Sequence, residues 1–108
     1  MLYELRIYDC CPGRLPALHE RFRKHTLGFF KKYGIKPVGF WTNMVGPSNQ
    51  QLIYLVEWES LAHREQAWGK FVADPEWQAV LAESEKDGRI VANVSNAILQ
   101  PTDYSAMH

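Results

Sequence analysis

The sequence predicts an α+β domain of the ferredoxin-like kind, with elements in the order βαββαβ. Its four-stranded antiparallel sheet carries the helices on one face. Three observations predict this. Strand patterning recurs in separate short runs, and helical patterning fills the two long gaps between them. The two middle strands are separated only by the turn cluster Gly46-Pro47-Ser48-Asn49, which makes them a hairpin. The chain has 108 residues, without an internal linker or low-complexity segment, so residues 1–108 read as a single domain.

The elements follow in order. From Leu2 to Asp9 the residues alternate, with Tyr3, Leu5 and Ile7 on one face and Glu4, Arg6 and Tyr8 on the other. Pro12-Gly13 ends this strand. Leu15, Leu18, Phe22, Phe29 and Tyr33 then repeat at helical spacing. Pro16 falls in the first turn, where N–H groups have no intrahelical partner, and Gly34 supplies the stop. Ile35 to Val45 reads as the second strand and Gln51 to Trp58 as the third. Ser60 can cap a helix whose apolar face carries Leu61, Trp68, Phe71 and Val72. Asp74-Pro75 opens an additional short helix, with Trp77, Val80 and Leu81 as its apolar side and Gly88 at its end. Ile90 to Leu99 forms the last strand, Pro101 stops it, and a polar tail closes the chain.

Twelve Lys and Arg residues balance twelve Asp and Glu, giving a formal net charge of zero. Nucleic acid and anionic membrane surfaces both demand a basic excess, so neither is expected as the main partner. No apolar stretch approaches the ~18 residues needed to cross a bilayer, so no membrane insertion is expected. Cys10 and Cys11 are the only cysteines, and they are adjacent. Two reduced thiols, with no signal peptide visible, give the expectation of a cytoplasmic protein.

The third strand carries the sharpest signal. Leu52, Ile53, Tyr54, Leu55 and Val56 are apolar on both faces, and Phe40 and Trp41 place an aromatic ring on each face of the second strand. An antiparallel sheet with helices on one side is polar on its free side when that side meets water. An apolar free side needs a cover, and a second copy is the simplest one. The expectation is a homodimer through the sheet faces, with the two sheets ~10 Å apart around a shared interior.

Candidate site residues follow from that geometry. If Leu5 and Ile7 meet the helices, then Glu4, Arg6 and Tyr8 point into the dimer interior, where an ion pair beside a tyrosine can orient a small polar ligand or simply brace the interface. Tyr54 joins them on the third strand. Trp41 and Trp58 can line a pocket by stacking. His25 falls near the apolar stripe of the first helix, where a histidine is a proton acceptor or a hydrogen-bonded core residue. These seven residues, Glu4, Arg6, Tyr8, His25, Trp41, Tyr54 and Trp58, form the candidate pocket, and no catalytic role is assigned. No G-x-G-x-x-G, Walker A, G-x-S-x-G or H-E-x-x-H sequence is present, so neither a cofactor nor a metal is expected.

The landmarks together resemble the NIPSNAP family over nearly the whole chain. They are Tyr3-Glu4-Leu5-Arg6 with Tyr8, Pro12-Gly13, His25-Thr26 and Gly39-Phe40-Trp41-Thr42. Gly46-Pro47 with Asn49, Asp74-Pro75-Glu76-Trp77 and Leu99-Gln100-Pro101-Thr102-Asp103-Tyr104-Ser105 complete the set. The resemblance implies a dimeric α+β barrel, in the superfamily of the small antibiotic-biosynthesis monooxygenases. The family has no generally established reaction. Two functions follow as expectations. One is a protein that binds a small apolar or aromatic molecule or a protein partner. The other is a cofactor-independent, monooxygenase-like enzyme with Tyr8, Arg6 and Trp41 orienting the substrate and His25 or Glu4 accepting a proton. Haem-degrading members of the superfamily pair a helical His with a strand Trp, and the spacing of His63 from Trp58 is a poor copy of that arrangement. Whether dimers assemble further stays open.

Overall fold

A computed structural model describes residues 1–108. The chain runs β1 (Leu2–Cys10), α1 (Leu15–Arg21), a π-helical turn (Phe22–Thr26), α2 (Leu27–Lys32), β2 (Lys36–Thr42), β3 (Gln51–Trp58), α3 (Leu61–Ala73), α4 (Pro75–Ser84) and β4 (Val91–Leu99). The strands form one antiparallel sheet in the order β2-β3-β1-β4. This is the ferredoxin-like α+β fold expected from the sequence, with the extra short helix before the last strand.

The π-helical turn was invisible in the sequence, and it redirects the first helical rod. The backbone N–H of Leu27 donates to the carbonyl of Phe22, five residues back. The wider turn adds one residue to the helical count. The buried stripe therefore runs Leu18, Phe22, Thr26, Phe30 instead of passing through residues 25 and 29. His25, expected on the core side, is exposed. Thr26 takes the inward place, and its hydroxyl donates to the Arg21 carbonyl at 3.3 Å. Gly34, at φ +70°, ends the rod as expected.

α3 and α4 are capped as their sequences require. Ser60 Oγ accepts from the His63 N–H at 3.0 Å. Asp74 Oδ1 accepts from Glu76 N–H at 2.7 Å and Trp77 N–H at 3.3 Å. The other Asp74 oxygen accepts from Lys32 Nζ at 2.9 Å and from the Tyr33 hydroxyl, tying the end of α2 to the start of α4. Tyr33, Lys32 and the backbone N–H groups together hold the Asp74 carboxyl well below the usual range, against the opposing pull of burial. α3 turns Ala67 and Phe71 inward, whereas Leu61 and Val72, expected on its apolar face, are 58% and 44% exposed. At about 100° per residue, Val72 and Leu61 both stand about a quarter-turn from Phe71 on the same side, the one turned away from Ala67.

β2 ends at Thr42, three residues before the expected limit. The Asn43 side-chain amide donates to the Ser48 carbonyl and to Gln51 Oε1, both at 2.8 Å. It thereby closes the hairpin loop, and Met44 and Val45 project from its tip at 98% and 94% exposure.

One core lies between the helices and the sheet. Leu52, Tyr54, Val56 and Trp58 of β3 face it, joined by Leu18, Phe22, Phe30, Phe71, Trp77 and Ile90. β1 takes the opposite orientation to the one expected. Glu4, Arg6 and Tyr8 stand in register with Val56, Tyr54 and Leu52, so all three lie under the helices. Leu5 and Ile7, in register with Leu55 and Ile53, occupy the open face. The polar residues can lie inside because α3 lowers Arg64 and Trp68 onto them and supplies their partners.

Candidate functional site

Glu4 is the centre of the buried polar cluster and is 0% exposed. Its Oε1 accepts from Trp58 Nε1 at 3.0 Å and Arg64 Nε at 2.8 Å. Its Oε2 accepts from Arg6 at 2.9 Å, Arg64 at 3.1 Å and the Asn96 amide at 2.9 Å. A buried carboxylate with every lone-pair direction used is stable as the anion. Burial raises the Glu4 carboxyl, but Arg64, Asn96, Arg6 and Trp58 more than reverse this and bring it down to about 2.

Arg6 carries the network onward. Its Nε donates to the Tyr54 hydroxyl at 2.9 Å, and a second nitrogen reaches the Tyr8 hydroxyl at 3.4 Å. The two phenol oxygens lie 2.8 Å apart. The guanidinium sits over the Trp68 ring at 4.4 Å, a cation–π contact made dry by burial. Burial and then the Tyr8 neighbour push the Tyr54 hydroxyl well up, so Tyr54 stays a neutral phenol. The row Arg64–Glu4–Arg6–Tyr54–Tyr8 is thus a continuous hydrogen-bonded chain, buried at Glu4, Arg6 and Tyr54 and partly exposed at its two ends.

Four of the expected pocket residues, Glu4, Arg6, Tyr8 and Tyr54, come together in this chain, and Trp58 joins them through its indole N–H. His25 does not, and neither does Trp41. Trp41 is 50% exposed and pairs in register with Ile53, on the far side of the sheet. His63 meets the Trp58 ring edge-on at 5.3 Å, while its Nδ1 accepts from the Glu59 N–H as part of the α3 cap.

A concavity of about 400 Å³ lies elsewhere, between the π-helical turn and β2. Phe22, Leu27, Phe40 and Leu52 supply its apolar lining, with Trp41 and Thr42 along β2 and His19 and Arg23 at the helix rim. That volume falls in the range of small-molecule sites. Phe40 stacks on Tyr54 with ring centroids 5.0 Å apart, which makes the floor rigid. Of the expected residues, only Trp41 touches this cleft. His19 and Arg23 were missed, although their spacing of four residues put both on one helical face. Arg64 and Asn96, the outer partners of Glu4, carried no sequence signal, because only the tertiary fold brings them within reach. No group of three or more His, Cys, Asp or Glu side chains is arranged to hold a metal ion.

Comparison with solved structures places this geometry among known folds. A NIPSNAP-family protein from Agrobacterium tumefaciens is 25% identical, with a TM-score of 0.87, covering 99% of this chain and 98% of its own. A NIPSNAP-like domain protein from Burkholderia xenovorans is also 25% identical, with a TM-score of 0.84 and coverage of 96% and 87%. An antibiotic biosynthesis monooxygenase shares the fold at 9% identity and a TM-score of 0.61, covering 94% of this chain and 99% of its own. Comparison with curated proteins finds no match. The buried Glu4–Arg6–Tyr8 row and the Gly39-Phe40-Trp41-Thr42 strand both fall inside residues 3–106, the span matched by the NIPSNAP family model, and the chain belongs to the NIPSNAP family.

Proposed function

We propose that the protein is a homodimer formed through its open sheet faces, and that it binds a small apolar or aromatic molecule in the cleft between the π-helical turn and β2. The observation that carries this reading is the cleft itself: about 400 Å³, floored by Phe22, Phe40 and Leu52. The dimer is supported by the open face, where Leu5, Ile7, Ile53 and Leu55 sit side by side in register. Leu99 of β4, in register with Tyr3 and 43% exposed, adds to it. Trp41 belongs to both features: it lines the cleft and stands on the open-face side of β2. A partner sheet packed there closes the outer side of the cleft.

No helix is long and apolar enough to cross a membrane. Cys10 and Cys11 are free thiols, which supports a reducing compartment, and we place the protein in the cytoplasm.

Light scattering tests the dimer, with an expected mass twice the 12.5 kDa of the chain. Leu55→Arg, in the middle of the open face, should yield a folded monomer. A wild-type mass of one chain would end the dimer reading. Binding of the fluorescent aromatic sulfonate ANS tests the cleft, with Thr42→Trp filling it from an exposed position. Saturable binding that survives Thr42→Trp undiminished would remove the cleft from the proposal. Native mass spectrometry of protein isolated from its own host then identifies the natural occupant.

A further inference from the structure

A second, inner chamber of about 20 Å³ lies under the same helix, separate from the cleft except for Phe22, which walls both. Its polar lining is Tyr8, Arg21 and Thr26, and Trp77 and two phenylalanines supply the rest. That volume suits one particle about the size of a water molecule and is too small for sulfate or phosphate.

Two hydrogen-bond donors in this lining have no acceptor in the protein. The first is Arg21 Nε, on a side chain only 7% exposed. The second follows from counting phenol protons. Tyr8 and Tyr54 bring one each, and the bond between them uses one. Arg6 donates to both oxygens, so neither phenol can pass its spare proton to Arg6. Tyr54 is fully enclosed, so the arrangement that leaves the spare proton on Tyr8 is the one the chamber can satisfy. The Thr26 hydroxyl proton is already spent on the Arg21 carbonyl.

The local charge points the same way. Arg21 reaches only one carboxylate, Glu85, at the long distance of 3.8 Å. Glu4 is shared by Arg6 and Arg64 and has nothing left for Arg21. Burial weakens the Arg21 guanidinium more than Glu85 restores it, a deficit that a bound negative charge corrects. We propose that the chamber is a binding site for a single monovalent anion of chloride or bromide size, held by Arg21 Nε and the Tyr8 hydroxyl.

The test uses bromide with the full chain, exchanging sodium gluconate for sodium bromide at constant ionic strength. Trp77 lines the chamber and lies under Arg21 at 5.8 Å, so its fluorescence reports occupancy through heavy-atom quenching. The expected result is a saturable response that Trp77→Phe abolishes, with an anomalous bromide peak between Arg21 and Tyr8 in soaked crystals. Tyr8→Phe keeps the ring and removes one donor, and it should weaken bromide by about tenfold. Arg21→Met should abolish binding; if that variant does not fold, Tyr8→Phe decides alone. Purely linear quenching, a peak only at the surface, or undiminished binding by Tyr8→Phe would assign the chamber to water and overturn the proposal.

Discussion

The Arg6 Nε–H and the Tyr54 hydroxyl meet at 2.9 Å between neighbouring strands, 48 positions apart in the chain. Both residues are almost fully enclosed, so this donor has no solvent to fall back on. Tyr54→Phe keeps the ring packing on Phe40 and removes the hydroxyl that accepts from Arg6 and bonds to Tyr8. The expected cost is about 1–3 kcal/mol, read from the urea midpoint. A Tyr54→Phe protein as stable as wild type would show that the bond does not hold β1 to β3.

Glu4 gives a prediction in both mutation and pH. Glu4→Gln preserves shape but leaves Arg6 and Arg64 without their shared anion. Uncompensated buried charge costs about 3–5 kcal/mol. In the folded chain the Glu4 carboxyl titrates near about 2, below the ordinary 4.5. A depressed folded pKa means that the stabilisation is fully present above pH ~4.5 and is lost as pH falls toward ~2, amounting to about 3 kcal/mol. Denaturation midpoints measured across that window should slope downward for wild type and be markedly flatter for Glu4→Gln. Equal slopes would relocate the acid sensitivity to other carboxyls.

Gly39 owes its identity to Trp41. A Cβ built on Gly39 would fall 2.8 Å from the tip of the Trp41 indole. The ring is half exposed, so it can swing aside without disturbing the core. Gly39→Ala should therefore shift tryptophan emission and weaken the proposed self-association, while changing stability by less than about 1 kcal/mol. Unchanged emission would mean that the indole does not rest on Gly39.

Phe22 stands between the cleft and the inner chamber, with its ring 5.3–6.1 Å from those of Tyr8, Phe30, Phe40 and Tyr54. Phe22→Ala should cost about 3–5 kcal/mol, the usual penalty for emptying an aromatic core site. Thermal melts measure it, and ANS uptake should rise as the two spaces join. A loss below about 1 kcal/mol would indicate that neighbouring rings collapse into the gap.

The first helix shows why a legible sequence still misplaces a side chain. Its apolar residues announce a helix, but a regular 3.6-residue period carries the stripe to His25. The π-helical turn moves it to Thr26, because one five-residue bond adds a residue to the turn. Periodicity averages over such a turn and cannot locate it. β1 shows a different limit. Alternation separates Glu4, Arg6 and Tyr8 from Leu5 and Ile7 with certainty. Which set lies inside depends on partners from α3 and β4, and those come from 60 and 92 positions away.

By itself, the sequence determined the element order, the hairpin, the caps at Ser60 and Asp74, and the two-faced apolar character of β3. These are local properties, set by spacing, backbone freedom and short-range hydrogen bonds. The tertiary structure alone decided that the ion pairs lie beneath the helices, that His25 meets solvent, and that the cleft is built from Phe22, Phe40 and Leu52. A charged residue can be buried only when distant donors and acceptors satisfy it together, and that sum is settled when the chain closes on itself.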